Sequence, residues 1–214
     1  MRVTERRMLL AAALALPGVA LPLVRPARGQ ADSSRAVAFI RATGEQLVGA
    51  INDPRLDLPA RRQRVANILR QAVDIEGVGR FILGRWWRQA SPQEQQQYMQ
   101  LFEETLIRNL SARFGEYQGV RFQIGRAQQR TEDDVLVNTI VERPNTAPFT
   151  LDWRVAEIGN QPKVVDVIAE GSSLRLTQRS EYSSVIQRNG GQVSALLAAM
   201  RNQIAQLAAR EQQR

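Results

Sequence analysis

Residues 91–125, SPQEQQQYMQLFEETLIRNLSARFGEYQGVRFQIG, place two periodicities side by side. In the first part Tyr98, Leu101, Phe102, Thr105, Leu106, Leu110 and Phe114 recur every three or four residues, while Glu94, Glu103, Glu104 and Arg108 take the other faces. That is the pattern of an amphipathic helix. Ser91-Pro92-Gln93-Glu94 opens it as a capping box, with the serine at the N-cap, proline at the first helical position and glutamate at the third. After Tyr117 and Gly119 the period falls to two: Val120, Phe122 and Ile124 alternate with Arg121, Gln123 and Gly125, which predicts a strand. A helical half therefore ends here and a sheet begins.

Upstream, the chain reads as helices. Ile40, Leu47, Val48 and Ile51 are helically spaced until Asn52-Asp53-Pro54 stops them. Asp57, with Pro59 following, opens a second helix whose face is Val65, Ile68, Leu69 and Ala72. A third segment over residues 74–90 carries Ile75, Val78, Phe81, Ile82 and Trp86, loosened by Gly77, Gly79 and Gly84. Downstream, Thr131-Glu132-Asp133 reads as a turn, followed by strands over residues 135–141, 149–155 and 164–169 joined by short connections. Short turns between consecutive strands imply an antiparallel meander. Gly171-Ser172-Ser173 returns the chain to a helix that ends at Asn189-Gly190-Gly191, and a last helix carries Val193, Leu196, Leu197, Met200, Ile204 and Leu207. The expected fold is α+β, a four-stranded antiparallel meander with helices packed on one face, preceded and followed by helices.

At the N-terminus, Arg2, Arg6 and Arg7 precede an apolar run over residues 8–24, with small residues around Ala27 and Gly29. That layout is a secretory signal, and Thr4-Glu5-Arg6-Arg7-Met8-Leu9-Leu10 resembles a twin-arginine variant of it. Pro17, Gly18 and Pro22 interrupt the run, which is short for a span of about 20 apolar residues, so cleavage is expected over anchoring. We therefore read residues 1–29 as an export signal and 30–214 as one domain, exported to the periplasm. Of 214 residues, 29 are Lys or Arg and 21 Asp or Glu, a net +8. Removal of residues 1–29 would leave +4, too little to argue for a nucleic-acid partner.

The chain has no His and no Cys, which excludes imidazole bases, thiolate nucleophiles, Cys/His zinc sites and disulfides. An enzyme would have to work through carboxylates and phenols, with Asp152, Asp166, Tyr98 and Tyr117 as candidates in an apolar pocket. Their spacing carries no diagnostic pattern. Asp166, inside an apolar strand, needs a partner, and Arg179 or a backbone amide is expected to supply it. Neighbouring helical residues point about 100° apart, so of Trp86 and Trp87 one should be buried and the other half-exposed.

Two stretches carry a resemblance. GVGRFILGRWWRQASPQEQQQYMQLFEETLIRNLSARFGEY, residues 77–117, and KVVDVIAEGSSLRLTQRSEYSSVIQRNGGQVSALLAAM, residues 163–200, resemble the MlaC (toluene-tolerance) family. The first shares its glycine, tryptophan and capped aromatic helix, the second its strand with Asp, its Glu-Gly-x-Ser-Leu run and its closing glycine. Gln178 stands where that family often has an aromatic residue. The resemblance implies a periplasmic carrier of phospholipid, moving between an outer-membrane lipoprotein and an inner-membrane ABC transporter complex. A neighbouring branch, the HpnM proteins, is associated with hopanoids, and the sequence does not separate the two.

A lipid carrier must replace the burial of roughly thirty methylenes, on the order of 20 kcal/mol at about 0.8 kcal/mol each, and needs an apolar pocket but no cofactor. The expected lining is Phe122, Ile124, Val137, Phe149, Leu151, Trp153, Val165 and Val167 from strands, Trp86, Phe102 and Leu106 opposite, and Tyr117 and Leu174 beside them. Each of these residue types is also ordinary core. Arg61, Arg62, Arg64, Arg70, Arg80, Arg85 and Arg88 offer a candidate positive face toward lipid headgroups or a transiently contacted membrane, against the alternative of a solvated surface.

Overall fold

A computed structural model describes residues 28–131 and 133–212, with side chains described for residues 33–131 and 133–211. The export-signal reading falls on residues outside this range, save for Arg28 and Gly29, and so does Glu132 of the expected turn. Four helices come first: α1 (Arg28–Asn52), α2 (Leu58–Ala72), α3 (Ile75–Leu83) and α4 (Pro92–Ser111). The sheet follows as β1 (Arg121–Thr131), β2 (Asp134–Glu142), β3 (Phe149–Ile158), β4 (Gln161–Ala169) and β5 (Ser172–Ser173), and then α5 (Leu174–Arg188) and α6 (Val193–Gln212).

The helix starts are held as the sequence dictates. Asp57 accepts the Ala60 amide at 2.8 Å, and Asp74 accepts that of Gly77 at 3.1 Å. The capping box closes in both directions: the Glu94 amide donates to Ser91 Oγ at 3.2 Å, and the Ser91 amide to Glu94 Oε2 at 2.9 Å. Each such cap satisfies donors that a helix start leaves open.

The strands pair antiparallel in the order β1-β2-β3-β4-β5. The expected sheet of four strands is thus one short: Ser172–Ser173, read as the start of a helix, adds a two-residue strand against Ile168 and Ala169 before Ser173 caps α5. Two residues are too few to show a period. The first strand is also longer than its alternation suggested. It continues through Arg126, Gln128 and Arg130 to Thr131, past a register shift between Ile124 and Ala127 that Gly125 and Arg126 absorb. The third helical segment breaks earlier than expected, because Gly84 sits at φ +58, where a Cβ would come within 2.9 Å of the Arg179 guanidinium. A short 3-10 helix, Gly84–Arg88, follows.

One sheet face is apolar. Val135, Val137, Thr139 and Val141 of β2 lie across from Val155, Trp153, Leu151 and Phe149 of β3, and α1 and α2 cover them. Gly44 sets how close α1 comes, since a Cβ there would lie 2.4 Å from Phe122 Cζ. The opposite face carries the paired Asn138 and Asp152, with 2.7 Å between Nδ2 and Oδ1, and the ion pair of Arg154 with Asp134 at 2.5 Å. Away from the sheet, α3, α5, α6 and the N-terminal half of α4 build a second, all-helical core around Tyr98, Ile186, Leu196 and Met200.

Candidate functional site

The apolar sheet face and its helices form two adjoining clusters. In the first, α1, α2, the C-terminal half of α4 and the ends of the strands surround a buried nucleus that includes Ile51, Val65, Leu69, Ile107, Phe114 and Val141. Leu47, Val48, Leu58, Leu106, Leu110, Tyr117, Phe122, Phe149 and Leu151 pack against it and stay only half-buried. The wall therefore keeps large apolar side chains partly in water, where covering them with hydrocarbon yields about 25 cal/mol per Å². In the second cluster, Ile124, Trp153 and Val167 lean on buried Val137, Val135, Val155 and Val164, with Ala36 and Ile40 of α1 above. Trp153 Nε1 donates to Thr139 Oγ1 at 2.9 Å, which leaves the indole's apolar body to the cluster while its polar atom is satisfied.

Of the sheet residues expected to line a pocket, Phe122, Ile124, Val137, Phe149, Leu151, Trp153 and Val167 thus share one face, and Leu106 and Tyr117 stand beside them. Others are set apart. Trp86 and Phe102 belong to the all-helical core: Phe102 stacks on Tyr98 at 5.9 Å between ring centroids, and Trp86 Nε1 donates to Ser183 Oγ at 3.2 Å. Val165 occupies the register shift between β3 and β4 and lends its carbonyl to Arg175. Leu174 opens α5 at 50% exposure. Leu47, Val48, Leu58 and Leu110 complete the half-buried wall but were not among the expected lining residues. Their helical spacing marks them as facing inward, yet only the packing says against what.

Two hollows lie elsewhere on the fold. One of about 600 Å³ opens at the β1–β2 and β3–β4 turn end and is lined mainly by polar groups, including Arg35, Gln129, Asp133, Glu157 and Asn160. Arg35 bridges it by pairing with Glu157 at 3.0 Å. The other, about 450 Å³, runs along α1 beside Val37, Ala38, Ala42 and Ala127. Neither is lined by the half-buried wall.

The charged groups are arranged for structure. Asp166, 7% exposed, accepts from the Val167 amide at 2.8 Å, from Ser173 Oγ at 2.6 Å and from the Arg175 amide at 3.2 Å, and it pairs with Arg175 Nε at 3.3 Å. The expected partner Arg179 instead donates to the Phe81 carbonyl and lies over the Phe81 ring. Burial lowers the Arg175 guanidinium from its ordinary value, ahead of any charge effect. Tyr98 is fully buried and donates to the Gly79 carbonyl at 2.9 Å, and burial pushes its phenol well above the usual range. Asp152 and Asp166 lie with the sheet while Tyr98 lies in the helical core, so the candidate acid–base groups do not converge. Among the described residues, no group of acidic side chains could hold a metal ion, and no helix is long and apolar enough to cross a membrane.

Most of the arginines expected to form a positive face have internal partners. Arg61 donates to the carbonyls of Asp53 and Leu56, Arg62 pairs with Glu211 and Arg70 with Glu103, and Arg80 pairs with Glu76. Arg85 lies over Trp86, 4.5 Å from its centroid. Trp86 is the buried member of the tryptophan pair and Trp87 the half-buried one.

A family model described as MlaC protein matches residues 41–202. Toluene tolerance protein ttg2D of Pseudomonas putida is 23% identical over 139 residues, covering 64% of this chain and 65% of that protein. The intermembrane phospholipid transport system binding protein MlaC of Haemophilus influenzae is 21% identical over 150 residues, covering 68% and 69%. Among solved structures, a phospholipid-binding protein from Ralstonia solanacearum, in complex with a phospholipid, superimposes with a TM-score of 0.73 at 28% identity, covering 81% of this chain and 98% of that one.

Proposed function

Because the chain belongs to the MlaC family, we propose that it is a phospholipid carrier, which shelters acyl chains between its sheet and the helices α1, α2 and α4 while leaving the headgroup outside. The observation that carries this is the wall of half-buried apolar side chains, Leu47, Leu106, Leu110, Phe122, Phe149 and Leu151, at the junction of those elements. A solid core would bury them; a surface would not gather so many. The likeness to a structure that holds a phospholipid supports the same reading.

Binding on this account exchanges internal contacts for lipid contacts. As α1 and α2 separate from the sheet, the tails fill the opening, and the hydrophobic gain of the tails offsets the contacts given up. No acid, base or nucleophile is needed, and the protein acts as a carrier rather than an enzyme. The basic, apolar and small-residue pattern of residues 1–29 supports export to the periplasm, where such a carrier would exchange lipid with an inner-membrane ABC transporter complex and an outer-membrane lipoprotein.

The test is direct. Delipidated protein is incubated with phospholipid vesicles, separated from them and extracted, and the extract is weighed by mass spectrometry. Stoichiometric phospholipid in the protein fraction is expected. Protein that emerges empty, or that carries hopanoid from mixed vesicles while leaving phospholipid behind, refutes the proposal.

A further inference from the structure

Arg143, in the loop between β2 and β3, is incompletely satisfied by the protein around it. Its guanidinium carbon lies 5.3 Å from the Tyr117 ring centroid and 5.2 Å from that of Phe149, so two aromatic faces hold the group. Its Nε is buried and has no hydrogen-bond partner among the described residues, an unfavourable state for a charged donor. The ion-pair partner, Glu116, stands 3.8 Å from Nη1 and is itself 54% exposed. The buried Nε atoms of Arg61 and Arg175 also lack a hydrogen-bond partner, but their Nη groups donate to the carbonyls of Asp53, Leu56 and Val165, whereas Arg143 has only the long contact to Glu116.

The position of this group gives the unused donors a use. Tyr117 and Phe149 both belong to the half-buried apolar wall, and Arg143 lies across them. The loop that carries it is braced: Pro144 packs at Gly119, where φ is +77 and a Cβ would come within 3.0 Å of Pro144 Cγ. Gly119 is in turn tied to α1 by its amide donating to Asn52 Oδ1 at 2.8 Å. A cation is thus fixed at the rim of the apolar wall, with its fork of N–H groups only partly occupied.

We propose that Arg143 binds the phosphodiester of the carried lipid, an assignment that rests on the carrier reading above. The two Nη groups can meet two phosphate oxygens together, a geometry that suits guanidinium and that an ammonium cannot copy. The flanking rings hold the plane in place before the lipid arrives, and the phosphate takes over from the distant Glu116. Tails buried against Leu106, Phe122 and Leu151 would leave the phosphate at the aromatic rim. Arg143 then distinguishes lipids with a phosphate from those without.

The experiment measures uptake from vesicles holding phosphatidylglycerol and diacylglycerol with the same acyl chains, using the full chain, Arg143→Gln and Arg143→Lys, each normalised to folded protein by its melting profile. The ratio of phosphatidylglycerol to diacylglycerol uptake is expected to fall roughly tenfold in Arg143→Gln, as for loss of a charge-assisted pair, and to recover only in part in Arg143→Lys. Millimolar inorganic phosphate is expected to leave the wild-type ratio in place. A ratio that does not change in either variant overturns the assignment, and so does a ratio that free phosphate abolishes, which would make the site one for phosphate rather than for a lipid headgroup. Wild-type protein that takes up neither lipid would instead sink the carrier reading, and this assignment with it.

Discussion

Phe102 and Leu106 lie one turn apart on α4, yet their truncations should have opposite consequences. Phe102 is 6% exposed and is wedged into the helical core by its stack on Tyr98. Phe102→Ala deletes a whole buried ring, which costs about 3–5 kcal/mol including the cavity left behind. Leu106 is half-buried in the wall, so Leu106→Ala gives up only part of a leucine's burial, about 1 kcal/mol. At a urea slope of about 2 kcal/mol per molar, the midpoint of unfolding should fall by about 2 M for the first and about 0.5 M for the second. Lipid uptake per folded molecule should run the other way: near wild type for Phe102→Ala, and down about fivefold for Leu106→Ala, which thins the wall where tails would lie. Equal midpoint shifts, or a loss of uptake in Phe102→Ala as large as in Leu106→Ala at matched folded fraction, would refute the division of α4 between a structural half and a binding half.

Other outcomes follow from the buried and charged groups. Asp166→Ala should destabilise by about 3 kcal/mol, because it leaves Arg175 without its partner in a buried setting, and Ser173→Ala by about 1 kcal/mol; urea midpoints check both. Burial pushes the Tyr182 phenol up to about 12. Its folded value lies above the unfolded one near 10, so its contribution is whole below about pH 10 and is lost as pH rises through about 12. Stability measured between pH 9 and about pH 12 should therefore decline less steeply in Tyr182→Phe than in wild type. Asp53 is held down at about 2, first by its side-chain bond from Arg55. Its folded value lies below the unfolded one, so its contribution is present above about pH 4 and is lost as pH falls through about 2. Asp53→Asn should flatten the acid limb of the stability profile, and an unaltered limb would contradict the assignment.

How much of this could be read from the chain depends on how local the cause is. The Ser91–Glu94 box and the Asp57 cap act within one turn, and both close as read. Strand alternation fixes which residues share a face, so Phe122, Ile124, Val137, Phe149, Leu151 and Trp153 come together. Alternation could not find β5, whose two residues have no period, or the polar continuation of β1, where Ala127 and Gln129 are the inward positions between exposed neighbours. Phe102 and Leu106 look equivalent in sequence because a spacing of four puts them on one stripe of α4. What separates them is the partner over each turn: Tyr98 and Tyr182 at one, the α1 and α2 cluster at the other. The same applies to polar groups. Asp166 was visibly in need of a partner, but choosing Arg175 over Arg179 takes the tight β4–β5 turn, which brings the start of α5 back against it. Arg143 had no distinguishing neighbour in sequence, and its aromatic supports come from the turn after α4 and from the start of β3.

The central claim, that acyl chains lie between the sheet and α1, α2 and α4, can be tested by loading the protein with a phospholipid that carries a photoreactive group midway along one tail, irradiating, and mapping the labelled peptides. Labels on Leu47, Leu106, Phe122, Phe149 or Leu151 and their immediate neighbours are predicted. Labels concentrated on Tyr98, Trp86, Ile186 and Met200 in the helical core, or scattered over exposed Leu174 and Leu176, would contradict it.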